Sequence, residues 1–377
     1  MARRRGALVT IARHPSVLAT IVRCVPLCGI LLLALIFSGC AQIGYYLQSV
    51  RGQLDIWHRE KPIPEVIEDA ASPPALRAKL TTVLAIREYA SRELGLPENR
   101  SYRGYADLER PFVVWNVFAT DEFSIQPKQW CFAVVGCVSY RGYFAKADAE
   151  RFAAEITAAH ADIYIGGVPA YSTLGWFADP VLNTFINNPP VALARLIFHE
   201  LSHQVVYVKG DSEFNESFAV AVERAGVARW IVHHGSASDR EAFDAMQLRR
   251  ADFVRLIQTY RERLDTLFRS GATVDFMRAE KKKQYGEMFA DYQNLKRAWG
   301  GFAGYDRWFA QPPNNALLAS VAIYTQKVPA FEALLKAQDG DLVKFFAAVK
   351  TLARLSKAER DAALRAQMSS AATTGAL

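Results

Sequence analysis

The sequence predicts an α-rich α+β fold with a small sheet N-terminal to a central, buried helix. Three observations predict it. The run Phe112–Phe144 is rich in Val, Phe, Tyr and Trp and broken by Pro and Gly, the pattern of short strands. Between Leu193 and Val206, apolar residues at 193, 196, 197, 201, 205 and 206 mark a helix. After Trp230 the chain turns to long, charged segments with helical periodicity. Of the 377 residues 51% are apolar, which excludes general disorder and allows one large domain or two lobes.

The first elements lie at the N-terminus. Arg3, Arg4, Arg5, Arg13 and Arg23 precede the apolar run Val25–Phe37, which ends in Phe37-Ser38-Gly39-Cys40. This is the order of a secretory signal, over residues 1–39. Ser-Gly-Cys resembles a bacterial lipobox, so cleavage before Cys40 and its lipidation are expected; an uncleaved membrane anchor is the alternative. Ala41 is not the Asp that retains the lipoproteins it resembles at the inner membrane. The resemblance therefore implies outer-membrane attachment facing the periplasm. Removing five arginines and no acids takes the net charge from +7 to +2. Such a body gives no reason to expect nucleic acid. The basic runs Arg249-Arg250 and Lys281-Lys282-Lys283 read as solvated helix faces. Cys131 and Cys137 are the cysteines left after Cys24, Cys28 and Cys40, and in an oxidising compartment they read as a local disulfide; two buried thiols are the alternative.

Residues 40–65 read as a membrane-proximal segment, with an amphipathic stretch at Tyr45–His58 and a linker at Lys61-Pro62-Ile63-Pro64. A domain over 66–367 follows, and 368–377 read as a flexible tail. Helices are expected at Pro74–Leu94 and Lys146–His160, with His160 at the surface. Asp162–Phe177, alternating and glycine-bearing, reads as strands meeting at a turn. The central helix should run to about Val208, where Gly210 can close it and Asp211 or Ser212 can cap the next, which reaches about Trp230. Ser238–Ser270 and Val274–Trp299 read as a helical hairpin about Gly271. Asn314–Thr325, Val328–Gln338 and Leu342–Ser356 complete the helices.

Chemistry enters at His199-Glu200-Leu201-Ser202-His203. On a helix His199 and His203 share a face and can offer imidazoles to one ion. Glu200, turned by about 100°, can hold a water beside that ion without being a ligand. One zinc ion suits this set, because catalytic zinc takes three protein ligands and keeps an open position. Glu216 is the candidate third ligand, with Glu213 competing. Glu223 shares a face with Glu216 and can bond the second nitrogen of a ligating histidine.

His199-Glu200-x-x-His203-Gln204 followed by Asn215-Glu216-Ser217-Phe218-Ala219-x-x-x-Glu223 resembles the gluzincin signature of zinc aminopeptidases, with Ser217 in place of the usual Gly. The mature chain, lipoprotein start included, is more closely similar to a bacterial family of predicted aminopeptidases. Its recurring stretches stand here at Gly136–Phe144, Ala170–Phe177 and Phe214–Ala219. The resemblance implies a two-lobe zincin fold: an N-terminal lobe with the sheet and the metal helices, and a C-terminal helical lobe. It also implies a sheet edge that pairs with extended substrate. Ala170, Tyr171, Ser172, Thr173, Leu174 and Gly175 are the candidates for that edge, or else an ordinary core strand. Tyr324 is the candidate for steadying the oxyanion, with His233 and His234 as alternatives.

The reading is a lipid-anchored zinc peptidase acting on peptides, foremost an aminopeptidase, in which Glu200 activates a water. A zinc endopeptidase and an envelope lipoprotein with a structural metal site are the competing readings.

Overall fold

The computed structural model describes residues 44–132, 136–157, 160–322 and 326–374. The chain divides after Leu54 into two units, and of the first the described part, 44–54, is helical. That helix, α1, continues to residue 59. The expected linker is instead structured. Lys61–Pro62 (β1) pairs with Gly104–Ala106 (β2), and Ile63–Glu68 forms helix α2 with Pro64 in its first turn. Proline fits there because the first helical N–H groups lack partners in any case. Ile63 is fully buried, so the segment belongs to the core. Pro74–Arg92 (α3) follows as expected.

Three small sheets precede the central helix. Val114–Thr120 (β3) is flanked by Arg141–Tyr143 (β6) and Asp162–Val168 (β7), both antiparallel to it. Trp130–Phe132 (β4) and Gly136–Val138 (β5) form a hairpin in which Cys131 pairs with Cys137 and is disulfide-bonded to it. Val181–Leu182 (β8) extends the first sheet beside β2. Lys146–Thr157 (α4) lies between β6 and β7, and exposed His160 adopts a positive φ of 56° beyond it.

The edge strand expected at Ala170–Gly175 is absent. Extended pairing stops at Val168, and Pro169 cannot donate to a ladder. The next backbone donors turn inward instead. Thr173 N–H goes to the Asp179 carboxylate and Leu174 N–H to Ser172 Oγ at 3.1 Å. Side chains have taken the groups a strand would use.

After Asn183–Ile186 (α5), Pro190–His203 (α6) is the central helix, shorter than expected. Val205, Val206 and Val208 continue its apolar pattern, but Asn215 captures the backbone of Val208, donating to its carbonyl at 2.8 Å and accepting from its N–H at 2.7 Å. The turn closes through Gly210 (φ 79°) into Ser212–His234 (α7), capped by the Asp211 side chain on Phe214 N–H. Gly226 sets the approach of α6 and α7: a Cβ there would lie 2.8 Å from the Phe198 ring. These two helices centre the main core, with α3 and the later helices Val328–Ala337 and Leu342–Ala353 around them.

Ala237–Phe268 (α8) and Val274–Ala298 (α9) form the expected hairpin about Gly271. With Asn315–Ala322 (α10) they hold a second core around Tyr260, Met288, Tyr292 and Leu318. The helices Val328–Ala337 and Leu342–Ala353 are α11 and α12. A further helix, Lys357–Thr374 (α13), takes in the described part of the expected flexible tail, and 375–377 lie outside the described residues. Ser356 and Glu359 bond each other reciprocally at its start, a signal present in the sequence as Ser-x-x-Glu. Among the described residues no helix is long and apolar enough to cross a membrane.

Candidate metal centre

Helix α6 supplies two imidazoles and α7 a carboxylate to one small volume. One donor atom from each of His199, His203 and Glu216 lies within 4.8 Å of the others. Nε2 of His199 stands 3.2 Å from Glu216 Oε2, and Nε2 of His203 stands 3.8 Å from the same oxygen. Two nitrogens aimed at one carboxylate oxygen form a donor set of the kind that binds zinc. His203 adds an independent indication, since its other ring nitrogen, Nδ1, is buried without a hydrogen-bond partner. Its Nε2 is therefore the nitrogen with something to face.

His199 is held on its other side. Its Nδ1 lies 3.0 Å from Glu223 Oε2, while Glu223 Oε1 accepts from Arg250 at 2.8 Å and lies 3.5 Å from Arg195. Arg250, read from sequence as part of a solvated face, is thus drawn inward by a buried carboxylate. Burial works against the Glu223 charge, but Arg195, the His199 bond and Arg250 outweigh it and hold the pKa at about 2. Burial likewise opposes a charge on His199, yet its bonds to Glu216 and Glu223 raise the pKa to about 10. His203 has no such bonds, and burial lowers it to about 4. An imidazole kept neutral is ready to act as a ligand.

Glu200 is half-buried and, like buried Asp179, forms no ion pair with a lysine or arginine among the described residues. Burial lifts its pKa to about 7; His199 opposes this, while Glu216, Asp179 and Glu223 add to it. A carboxyl poised there can take and return a proton near neutral pH.

The other candidates separate. Glu213 turns away and pairs with Lys327 at 3.4 Å. His233 bonds the Tyr89 hydroxyl at 2.9 Å, and His234 stacks on Trp230 with ring centroids 3.8 Å apart. Seventeen residues of α7, about 25 Å at 1.5 Å per residue, part His233 from Glu216. Tyr324 and Cys40 lie outside the described residues.

Several neighbours escaped the sequence reading. Gln204, next to His203, accepts from Asn99 at 2.6 Å and donates to Ser101 Oγ at 3.2 Å. Tyr102 sits at φ 62° with its hydroxyl buried and unpartnered; burial, then the charges of Glu200 and Asp179, push its pKa well up. Tyr207 packs edge-on to His203, its pKa raised to about 12 by burial and by Glu216. A non-glycine residue at positive φ, as at Tyr102, was the one property that could have drawn attention, and it is visible only in three dimensions.

A family model described as "Putative aminopeptidase" matches residues 44–364. The chain belongs to that family. The match spans both cores and the whole α6–α7 pair, so the family assignment covers the metal centre and its supports alike. No curated protein and no solved structure matches the chain.

Proposed function

We propose that the protein is a zinc-dependent peptidase of zincin type, an aminopeptidase in the first place, anchored by lipid at Cys40 to the outer membrane and facing the periplasm. The observation that carries the reading is the convergence of His199, His203 and Glu216, with half-buried Glu200 next to His199 on the same helix. Membership of an aminopeptidase family supports peptides as substrate.

A zinc ion held by His199, His203 and Glu216 would supply a Lewis acid for the scissile carbonyl and acidify a water. The chain's own residues do the rest. Glu223 keeps the His199 ring in one orientation with its Nε2 turned to the site. Glu200 receives the proton of the attacking water and delivers it to the leaving amine.

Glu200→Gln tests this. The amide keeps the shape but cannot accept the proton, so hydrolysis should fall by ~10²–10⁴-fold or more with metal content unchanged. Free peptides should be cleaved and N-acetylated ones spared. Equal cleavage of both would make the enzyme an endopeptidase, and no cleavage of a varied library by the zinc-loaded wild type would refute a peptidase role.

A further inference from the structure

We propose that the loop Tyr171–Asp179 is the cleft wall that receives a large apolar side chain of the substrate, with Trp176 and Phe177 as its surface and Asp179 as the residue that positions it. This rests on the peptidase reading and adds the class of side chain the site accepts.

The first observation is where the loop is fastened. Glu200 and Gln204 stand four residues apart on the helical approach to the turn, so they share the edge of α6 that presents the base. Gln204 donates to Ser101 Oγ, and Ser101 Oγ accepts the N–H of Asp179 at 3.3 Å. The Asp179 carbonyl in turn accepts from Tyr102 N–H at 2.6 Å. The loop is thus hooked to the end of α6 on the Glu200 side.

The second is that the loop is stiff. Both Asp179 carboxylate oxygens accept Thr173 N–H, at 3.2 and 3.1 Å. Thr173 Oγ1 bonds both the N–H and the carbonyl of Phe177, and Trp176 N–H reaches the Thr173 carbonyl. Leu174 and Gly175 both hold positive φ, 58° and 81°. Gly175 faces the Gln204 side chain, which a Cβ at that position would meet at 3.6 Å. A non-glycine residue in that region costs about 1 kcal/mol or more and persists where its surroundings enforce it.

The third is what this stiff loop displays. Trp176 is 74% exposed and Phe177 49%, and Phe177 packs edge-on against Trp57 at 4.6 Å. Exposing a tryptophan on a loop fastened to Gln204, one helical turn from Glu200, has a use if an apolar group binds there. In a peptidase cleft that group is a side chain flanking the scissile bond.

The test uses the full chain, extracted in detergent and loaded with zinc, and two peptides that differ by leucine or alanine beside the scissile bond. The wild type should prefer leucine in kcat/KM. Trp176→Ala should lower the leucine-to-alanine ratio about tenfold, the scale set by apolar pocket contacts. Asp179→Ala should lower the same ratio and Asp179→Asn restore part of it. A loop with only a structural role would move both peptides together, and an unchanged ratio in Trp176→Ala overturns the proposal. Peptide affinity of the zinc-loaded Glu200→Gln protein gives a readout without turnover: leucine peptide should bind about tenfold more weakly once Trp176 is also removed. Binding without turnover in the wild type would overturn the peptidase reading and leave the wall standing. If Trp176→Ala instead weakens attachment to phospholipid vesicles and spares the ratio, the aromatic pair serves a membrane and the proposal fails.

Discussion

The carboxylate of Glu223 lies 3.0 Å from Nδ1 of His199 and is itself gripped by Arg250 at 2.8 Å. Arg195, the His199 bond and Arg250 together keep Glu223 ionised against its burial, the ionised Glu223 accepts the proton on Nδ1, and Nε2 is left for the centre. An orientation set in α8 is thereby passed through α7 to α6.

Neutralising that carboxylate should weaken metal binding without abolishing it. Glu223→Gln is expected to cost about 10–100-fold in zinc affinity. Competition with a chromophoric chelator would measure it, and affinity equal to wild type would contradict the relay.

The ligands themselves should behave differently from their competitor. His199→Ala should empty the centre and Glu216→Gln should reduce affinity far more than Glu223→Gln does. Glu213→Gln should leave stoichiometry intact, because Glu213 faces Lys327. Metal analysis after gel filtration reads all three, and loss of zinc from Glu213→Gln alone would reassign the third ligand.

Acid sensitivity should include a contribution from Asp211. Burial alone would raise its pKa, but the bond to Arg360, with Lys327 and Lys357, lowers it. A depressed folded pKa means stabilisation that is full above the unfolded value of ~3.9 and lost as pH falls through the folded one. Both side chains are nearly fully buried, at 3% and 4% exposure. Arg360→Met should therefore cost up to about 3–5 kcal/mol by urea denaturation near neutral pH, because it takes the nearest cation from a buried charge and leaves it only Lys357 and Lys327. That penalty should shrink at the acid end. A penalty constant with pH would show that packing, not charge, is lost.

Reduction should loosen the β4–β5 hairpin. Closing a loop of this size is worth about 2 kcal/mol in the chain-entropy description. Gly136 lies against the turn at Lys209 and Gly210 that joins the metal helices. Cys131→Ser with Cys137→Ser should lower thermal stability and zinc affinity together. Intact zinc affinity in the double variant would uncouple the hairpin from the centre.

Much of the centre was legible because its information is local. His199, Glu200 and His203 need one helix and its 3.6-residue period, and Glu216 and Glu223 need a second helix with the same period. The supports were not legible, because they come from far along the chain. Asn99 meets Gln204 across 105 positions and Arg360 meets Asp211 across 149. Local pattern also misled where side chains compete with backbone. Val205, Val206 and Val208 prolong the helical spacing that Asn215 cuts short. Tyr171–Leu174 alternate like a strand whose donors Asp179 and Ser172 have taken.

The bond between Arg360 and Asp211 also carries an order of events. Asp211 caps the helix bearing Glu216, and its partner lies in α13, the last of the described helices. During synthesis or export from the N-terminus, His199 and His203 appear first, but the clamp on the helix of Glu216 arrives only with Arg360, 149 positions after Asp211. A chain interrupted before Arg360 would carry every residue named in the chemistry and still lack the fastening that holds them together.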